Sequence, residues 1–246
     1  MRRAAIEAGW NIERLPGWRA PEWLRDCEPI LYGEPLFAAV VADALGLALL
    51  EAPFHWLTTI PGEWLRRDVR FMTLADARHE GRAFMKPADD KCFVARVYES
   101  GSELPDSDVL PDATPVLVSE PVNWSIEFRC FILENQLVTL SPYLRDADLC
   151  QAGDGSWSAT DDEIQQATDF IECVLADDRV DLPPAVVVDV GVIADAGWAV
   201  LESNAAWGSG IYGCDPTKVL NVIRRACLQR GNVSANDSGW LPVRAT

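Results

Sequence analysis

Residues 186–204 constrain the fold more than any other part of the sequence. Two apolar runs, Val186–Ile193 and Trp198–Ser203, lie on either side of Asp195-Ala196-Gly197. Apolar runs of this length around a short turn that contains glycine predict an antiparallel β-hairpin. The flanking residues are too apolar for a hairpin that is exposed to solvent, so we expect it to be largely buried.

Three polar side chains, Asp189, Glu202 and Asn204, interrupt this hairpin. If residues 195 and 196 form the turn, Asp189 lies opposite Glu202; if 196 and 197 form it, Asp189 lies opposite Asn204. Both registers bring the three side chains together, and their oxygens are the hard ligands that Mg²⁺ prefers. The alternative is a set of solvated side chains on an exposed sheet face. The apolar flanks favour the magnesium site.

A second polar group contains two lysines. Phe84-Met85-Lys86-Pro87 ends an expected strand, and Ala88-Asp89-Asp90-Lys91 follows it as a loop. Lysine is a flexible point charge that suits phosphate oxygens. A lysine at the end of a strand is more often simply solvated, so this segment alone indicates little.

The third group consists of Ser119-Glu120-Pro121-Val122 and, shortly after it, Glu127-Phe128-Arg129. Because side chains alternate along a strand, Glu127 and Arg129 point to one face and Phe128 points to the other. The two charged residues either serve a binding site or form a surface ion pair, and their spacing leaves both alternatives open.

The first third of the chain has the mixture of strand and helix that is typical of α/β structure. We predict a helix at Arg2–Trp10, a strand at Pro29–Gly33, a helix at Pro35–Leu47 capped by Gly46, and a strand at Leu47–Leu50. No strand precedes the first helix, so the opening strand of such a layer is absent or supplied differently.

After residue 82 the pattern changes to half-buried strands interleaved with helices, which predicts α+β structure with antiparallel sheets. The expected strands are Ala83–Lys86, Phe93–Tyr98, Pro115–Ser119, Trp124–Leu133 and Gln136–Tyr143. The expected helices are Asp161–Leu175 and Pro216–Leu228, with a loop at Gly101–Pro115. We therefore predict an N-terminal α/β domain at residues 1–80, an α+β domain at 81–230 and a loose tail at 231–246.

Composition argues against several classes of function. The formal net charge of −17 repels a phosphate backbone, so we expect no nucleic-acid partner. The longest apolar stretch, Leu36–Leu50, contains Asp43 and is shorter than the roughly 20 residues that span a bilayer, so we expect no membrane partner. The seven cysteines include no C-x-x-C pair and the N-terminus has no signal-peptide pattern, which predicts a cytoplasmic protein.

The order of these motifs resembles that of the ATP-grasp superfamily. Three segments resemble its R2K clade of bacterial and phage proteins more closely, namely Phe84–Lys91, Trp124–Phe131 and Glu202–Pro216. The resemblance extends from about Ile30 to Leu228. It implies that two α+β lobes clamp ATP between antiparallel sheets, and that residues 81–230 form the ATP-grasp domain.

The resemblance also implies which residues contact the nucleotide. Lys86 and Lys91 are expected to bind the phosphates of ATP. Glu120 and the backbone near Val122 are expected to meet the adenine, and Glu127 the ribose. Many ATP-grasp enzymes cover the phosphates with a glycine-rich loop, whereas this chain has no glycine between residues 87 and 92.

For catalysis, the resemblance implies that Arg129 steadies a phosphate or an acylphosphate, with Lys86 as the other catalytic residue. The magnesium ligands implied by it are Asp189, Glu202 and Asn204. The implied reaction joins the carboxylate of a small acid, an amino acid or a peptide to an amine or thiol, at the expense of ATP. The sequence has no Ser-His or Cys-His arrangement that would supply a covalent nucleophile.

Two alternatives to a ligase remain open at this point: a kinase of the same fold, and a nucleotide-binding module without turnover. Fold resemblance narrows the type of reaction better than it narrows the substrate. The sequence also leaves open a homodimer, because Trp10, Trp18 and Trp23 either form an interface or pack within the chain.

Overall fold

The computed structural model of the chain describes residues 1–88 and 91–242. The α-helices are α1 (Arg2–Glu7), α2 (Pro35–Leu45), α3 (Gly62–Leu65), α4 (Leu74–Ala77), α5 (Asp161–Leu175), α6 (Pro216–Ala226) and α7 (Ala235–Ser238). The strands are β1 (Leu47–Leu49), β2 (Val69–Thr73), β3 (Ala83–Pro87), β4 (Arg96–Tyr98), β5 (Pro115–Ser119), β6 (Trp124–Leu133), β7 (Gln136–Arg145), β8 (Asp148–Leu149), β9 (Ala185–Ile193), β10 (Gly197–Asn204) and β11 (Cys227–Gln229).

Two antiparallel sheets form the centre of the fold, which confirms the predicted α+β architecture. The small sheet has the strand order β2-β5-β3-β4, and the large sheet has the order β10-β9-β6-β7-β8. A further two-stranded sheet pairs β1 with β11. Only residues 120–123 separate β5 from β6, so the chain passes directly from the small sheet to the large one at this point.

One face of the large sheet is apolar along its length. On β6 and β9 this face consists of residues such as Phe128, Ile132 and Val188, and α5 covers it with Ala167 and Ile171. Buried positions at helical spacing place one side of α5 on the sheet. Removal of this apolar area from water, at roughly 25 cal/mol per Å², stabilises the contact.

The other face of the large sheet changes from apolar to polar along β6 and β9. Phe131 and Val187 belong to a core that α2 and α6 complete. Two residues away on the same face, Arg129 and Asp189 are buried as well. The helices therefore cover the apolar part of this face, and the polar part lies toward the small sheet.

The small sheet has its own core beneath α4. Leu74 and Ala77 of this helix pack on Met85 of β3 and on Val116 and Val118 of β5. Thr73 caps the helix, because its hydroxyl accepts a hydrogen bond from the backbone N–H of Asp76. The strand that carries Lys86 is thus held rigidly from one side.

Several predictions for the first third of the chain are wrong. Residues 29–33 form no strand: the Leu31 carbonyl accepts from Cys227 Sγ at 3.3 Å, and the Gly33 N–H donates to the Trp207 carbonyl at 3.1 Å. These backbone groups therefore form isolated hydrogen bonds instead of the regular hydrogen bonds between paired strands. The helix predicted to reach Trp10 ends at Glu7.

The predicted strand at residues 47–50 exists as β1, but its partner is distant in sequence. It pairs antiparallel with β11, so that Leu47 lies opposite Gln229 and Leu49 opposite Cys227. For the same reason α6 ends at Ala226 rather than at Leu228 as predicted. β1 therefore does not open a continuous α/β layer.

Strand β2 is absent from the sequence predictions because its residues alternate weakly and are mostly exposed or half-buried. It pairs with β5 from Val69 opposite Ser119 to Thr73 opposite Pro115. The small sheet thus combines a strand before residue 80 with strands after it. The division into domains at residues 1–80, 81–230 and 231–246 stays a prediction.

The C-terminal segment docks on the body of the protein as far as it is described. Arg225 Nη2 donates to Asp237 Oδ1 in α7 at 2.6 Å. The backbone N–H of Glu51 donates to the Trp240 carbonyl at 2.9 Å. The prediction of a loose tail is therefore wrong up to residue 242, and residues 243–246 lie outside the described residues.

None of the helices within residues 1–88 and 91–242 is long and apolar enough to cross a bilayer. Trp18 and Trp23 are 56% and 55% exposed, whereas Trp10 packs against the buried Ala4, Ala5 and Leu220. The homodimer and the cytoplasmic localisation stay predictions.

Candidate active site between the two sheets

A cavity of about 330 Å³ lies between the small and the large sheet. Its lining includes Lys86, Glu120, Val122, Glu127 and Glu202, all of which the sequence predicts as site residues. They come from β3, from the connection between β5 and β6, from β6 and from β10. The cavity therefore lies where the chain passes from one sheet to the other.

The hairpin of β9 and β10 places Asp189 opposite Glu202, but neither predicted turn is formed: Gly197 lies opposite Ile193, so residues 194–196 form the turn. The register is not uniform, however. Val200 lies opposite Val190 and Glu202 lies opposite Asp189, so Leu201 is an extra residue in a β-bulge. Directly opposed residues share a face of the sheet, and Asp189 and Glu202 accordingly share the polar face.

Asp189 is held by Arg129, its neighbour on the adjacent strand β6. Arg129 donates from Nε to Asp189 Oδ1 at 2.9 Å and from Nη2 to Oδ2 at 2.6 Å. Burial raises the pKa of Asp189 to about 6, against the opposing charge of Arg129. The bidentate geometry is strong and directional, so Arg129 fixes the orientation of this carboxylate.

Lys86 and Glu202 connect the two sheets across the cavity. Lys86 Nζ donates to Glu202 Oε2, and Asn204 Nδ2 donates to Glu202 Oε1 at 3.0 Å. Burial opposes ionisation of Glu202, but the charge of Lys86 and the hydrogen bonds from Asn204 and Lys86 outweigh it and lower the pKa to about 2. Glu202 is therefore a carboxylate at neutral pH.

Asn204 completes the predicted metal set. Its Nδ2 also donates to Asp189 Oδ2 at 3.1 Å, so the three side chains converge. Rotation of the Asn204 amide by a half-turn presents Oδ1 in place of Nδ2, which gives three hard oxygen groups of the kind that Mg²⁺ prefers. The donor chemistry fits magnesium, with Glu202 as the more accessible carboxylate because Arg129 engages both oxygens of Asp189.

The described residues contain no group of three His, Cys, Asp or Glu side chains that is arranged to hold a metal. This agrees with a set that has two carboxylates and one amide. Magnesium commonly retains several waters and binds through one or two carboxylates plus substrate phosphates. The predicted metal ligands are thus brought together, and their binding of metal stays a prediction.

Glu127 is buried and is oriented by a tyrosine that the sequence analysis missed. Tyr143 OH donates to Glu127 Oε2. Burial raises the pKa of Glu127, although the hydrogen bond from Tyr143 opposes the increase. In the pairing of β6 with β7, Glu127 lies opposite Leu144 and Phe128 opposite Pro142. Tyr143 is therefore a bulge residue, and simple alternation does not indicate its direction.

Aromatic rings close the site beyond Arg129. The rings of Tyr143 and Tyr212 stack at 5.1 Å, and the Arg129 guanidinium carbon lies 4.9 Å from the centre of the Tyr212 ring. Arg129 Nη1 also donates to the Gly210 carbonyl at 3.1 Å. Arg129 is consequently buried between aromatic rings and backbone and does not line the cavity. A contact between Arg129 and phosphate stays a prediction.

Glu120 and Lys91 are the two remaining predicted residues, and only Glu120 lines the cavity. Glu120 follows β5, and its backbone N–H donates to the Asp68 carbonyl at 3.0 Å. Lys91 is exposed and does not line the cavity. Residues 89 and 90 lie outside the described residues. A contact between Lys91 and phosphate stays a prediction.

Arg67 also lines the cavity, although no sequence motif indicated a role for it. It precedes β2 and lies over the ring of Trp124, with its guanidinium carbon 5.0 Å from the ring centre. Burial lowers the pKa of Arg67 to about 10, against the opposing influence of Glu202. The guanidinium therefore remains charged at neutral pH.

Lys86 on the small sheet faces the acidic strand pair of β9 and β10 on the large sheet, as the resemblance to the ATP-grasp superfamily implies. Residues 64–222 match the family described as ATP-grasp domain, R2K clade family 2. The match covers more than half of the chain, so the protein belongs to this family. The resemblance seen in the sequence is thereby confirmed.

Several solved structures are similar to part of this chain at low sequence identity, while no curated protein matches the chain in sequence. The ATP-grasp ligase PsnB, in complex with a minimal precursor, is 18% identical over 70% of this chain and 58% of its own, with a TM-score of 0.39. D-alanine–D-alanine ligase from Bacillus anthracis is 15% identical over 65% of this chain and 61% of its own, with a TM-score of 0.40. An ADP complex of N5-carboxyaminoimidazole ribonucleotide synthetase is 14% identical over 67% of this chain and 46% of its own, with a TM-score of 0.43. This chain spans less than two thirds of the length of each.

Proposed function

We propose that this protein is an ATP-dependent ligase that joins a carboxylate to an amine or thiol, with Mg-ATP bound between the two sheets. The observation that carries the proposal is the contact between Lys86 and Glu202 across the cavity. A cation suited to phosphate and a carboxylate suited to a metal meet there, beside the Arg129–Asp189 pair. This combination of charges fits a triphosphate with its metal better than it fits an uncharged ligand.

The nucleotide would lie along the connection between the sheets. Glu120 and the backbone near Val122 would contact the adenine where the chain leaves β5. Glu127, oriented by Tyr143, would accept hydrogen bonds from the ribose hydroxyls. Lys86 would bind the phosphates, which places them next to Glu202.

Asp189, Glu202 and Asn204 would hold Mg²⁺, which supplies charge neutralisation at the phosphate oxygens. Lys86 adds positive charge in the cavity, and Arg129 adds positive charge behind Asp189. Such fixed charges stabilise phosphoryl transfer without covalent chemistry by the protein. Lys86 would be the more accessible of these two cations, since Arg129 is nearly covered.

In the proposed reaction, a carboxylate oxygen of a small acid, an amino acid or a peptide attacks the γ-phosphorus of ATP, and ADP leaves. An amine or thiol then attacks the acyl carbon of the acylphosphate, phosphate leaves, and the nucleophile loses a proton. No protein nucleophile is required. In line with this, burial raises the pKa of the nearby Cys214 to about 12, so that its thiol stays protonated.

The first test is calorimetric titration of the protein with a non-hydrolysable ATP analogue, with and without Mg²⁺. We expect magnesium-dependent binding in the wild-type protein and its loss in Glu202→Gln. Lys218→Met, which changes an exposed lysine on α6, serves as a control and should bind like the wild type. Absence of nucleotide binding in the wild type would refute the proposal.

The second test separates a ligase from its alternatives. Hydroxylamine, ATP, Mg²⁺ and pools of amino acids or peptides are incubated with the protein, and ADP and hydroxamates are measured. ADP together with a hydroxamate supports an acylphosphate intermediate. A stable phosphorylated product indicates a kinase, and nucleotide binding without any product from broad pools indicates a module without turnover.

A further inference from the structure

Arg67 lies in the short segment between α3 and β2, yet most of its contacts are on the large sheet. Its Nη1 donates to the Val200 carbonyl at 2.8 Å and to the Leu65 carbonyl at 3.0 Å. Its Nη2 donates to the Leu201 carbonyl at 2.9 Å. Arg67 precedes a strand of the small sheet and is thus hydrogen-bonded to β10 of the large sheet.

The two carbonyls on β10 belong to the bulge that precedes Glu202. Up to the bulge, β10 pairs in one register, with Val200 opposite Val190 in the apolar core. If that register continued, Leu201 would lie opposite Asp189, and Glu202 would lie opposite Val188 on the apolar face. A shift of one residue reverses the direction of every later side chain. The bulge is therefore what places Glu202 and Asn204 on the same face of the sheet as Asp189.

The bulge also creates an unusual edge. Successive carbonyls of a regular strand point in opposite directions, whereas both Val200 and Leu201 present their carbonyls to Arg67. β10 is the outermost strand of the large sheet among the described residues, so no further strand satisfies these groups. A planar guanidinium with two nitrogens can bridge both carbonyls, while a lysine ammonium is a single point charge.

We propose that Arg67 is a positioning residue that holds the bulge at Leu201, and thereby keeps Glu202 and Asn204 on the face of β10 that they share with Asp189. This role rests on the proposed function only insofar as Glu202 and Asn204 are magnesium ligands. It depends on the fork geometry of the guanidinium rather than on its charge. The variant Arg67→Lys retains the positive charge but loses the fork, so it distinguishes an effect of the fork geometry from an effect of the charge.

The chain contains a matched control in the preceding residue. Arg66 Nε donates to the Trp198 carbonyl at 2.9 Å, on the same edge of β10 but in its regular part. Arg66 is exposed and does not line the cavity. Arg66→Lys therefore removes a similar edge contact without disturbing the bulge.

The experiment compares the wild type, Arg67→Lys and Arg66→Lys by two measurements. Hydrogen exchange with mass spectrometry follows the peptide that contains residues 200–204. Calorimetry gives the Mg²⁺ concentration needed for half-maximal binding of a non-hydrolysable ATP analogue. We expect Arg67→Lys to exchange faster in this peptide and to need about ten times more Mg²⁺, as for partners that orient metal ligands. Arg66→Lys should match the wild type in both measurements.

If the peptide with residues 200–204 exchanges at the same rate in Arg67→Lys as in the wild type, the proposal is overturned, because the bulge is then held without the guanidinium. Faster exchange with an unchanged Mg²⁺ requirement would also overturn it, since Arg67 would then be structural only. If the wild type itself shows no magnesium-dependent binding, the proposed function fails, while the exchange data still decide whether Arg67 holds the bulge. Thermal unfolding checks that each variant is folded, and Arg67→Gln replaces Arg67→Lys if the latter is not.

Discussion

Lys86 of the small sheet and Glu202 of the large sheet form an ion pair directly across the cavity. Their side chains are 22% and 26% exposed, so water screens this pair less than it screens a surface pair. Both residues are assigned to Mg-ATP in the proposed function. Binding would therefore exchange one internal ion pair for two contacts with the nucleotide and its metal.

Lys86→Met should abolish most ATP turnover while the protein remains folded. The change removes a fixed positive charge from the phosphate end of the cavity, and the loss of one such group typically lowers kcat by about 10²- to 10³-fold. Steady-state ADP release checks this outcome. Lys218→Met is the matched control, and equal activity in Lys86→Met and Lys218→Met would contradict the assignment of Lys86.

Acid should weaken the fold in part through Glu202. Its pKa of about 2 in the folded protein lies below the ordinary value of 4.5, so the fold favours the ionised form. This stabilisation is fully present above about pH 4.5 and is lost as the pH falls toward 2. We expect Glu202→Gln to lower the free energy of unfolding by about 1–3 kcal/mol at pH 6, and by about half as much at pH 3, which lies between the two pKa values.

Urea unfolding of the wild type and of Glu202→Gln at the two pH values measures this difference. Glu7→Gln provides a control, because it breaks the exposed Arg3–Glu7 pair, and surface pairs contribute little. A deficit of Glu202→Gln that is the same at pH 3 and pH 6 would show that the ionisation of Glu202 is not its cause.

Glu51 should have the opposite dependence on pH. Burial raises its pKa from 4.5 to about 7, so the fold favours the protonated form. The contribution of this group to stability is greatest below about pH 4.5 and declines as the pH rises to 7, by up to about 3 kcal/mol. Glu51→Gln should therefore raise the melting temperature at pH 8 and leave it nearly unchanged at pH 4.5.

Melting curves of Glu51→Gln and of the exposed control Glu22→Gln at both pH values test this prediction. The control should follow the wild type at each pH. If Glu51→Gln and the wild type have the same melting temperature at pH 8, the half-buried Glu51 carboxylate is not a source of instability there.

Gly191→Ala should destabilise the wall of the cavity. A Cβ at this position would lie 2.6 Å from the Ile126 carbonyl oxygen and 2.9 Å from a ring carbon of Trp124. Overpacking of this kind costs about 1–3 kcal/mol. Denaturant unfolding measures the loss, and Gly153→Ala, which has open space around its Cβ, should be nearly neutral. Equal stability of the two variants would contradict the close packing.

Strong local patterns predicted much of the fold. The strand Trp124–Leu133 and the helix Asp161–Leu175 have the predicted bounds, because each combines a clear period with local end signals. The helix, for example, begins with a capping box of Thr160 and Glu163. The convergence of Asp189, Glu202 and Asn204 was also within reach of the sequence, but the exact pairing of Asp189 with Glu202 was not, because it depends on a three-residue turn and on the bulge at Leu201.

Long-range features could not be predicted in the same way. Strand β2 has no apolar run of its own and is recognisable only by its pairing with β5. The directions of Tyr143 and Leu201 depend on bulges, and no local signal marks a bulge in either strand. Arg67 reaches its partners across more than a hundred residues of sequence, so its role becomes visible only in three dimensions.

The pairing of β1 with β11 has a consequence for how the chain folds during synthesis. Leu47–Leu49 leaves the ribosome long before its partner Cys227–Gln229 exists. Until then, this strand has an open edge, and the neighbouring helix α2 lacks the α6 surface that completes its core. Distant pairing of this kind is slow and leaves apolar surface uncovered in the meantime. The N-terminal third of the nascent chain therefore keeps apolar surface uncovered until residues 216–229 have been synthesised.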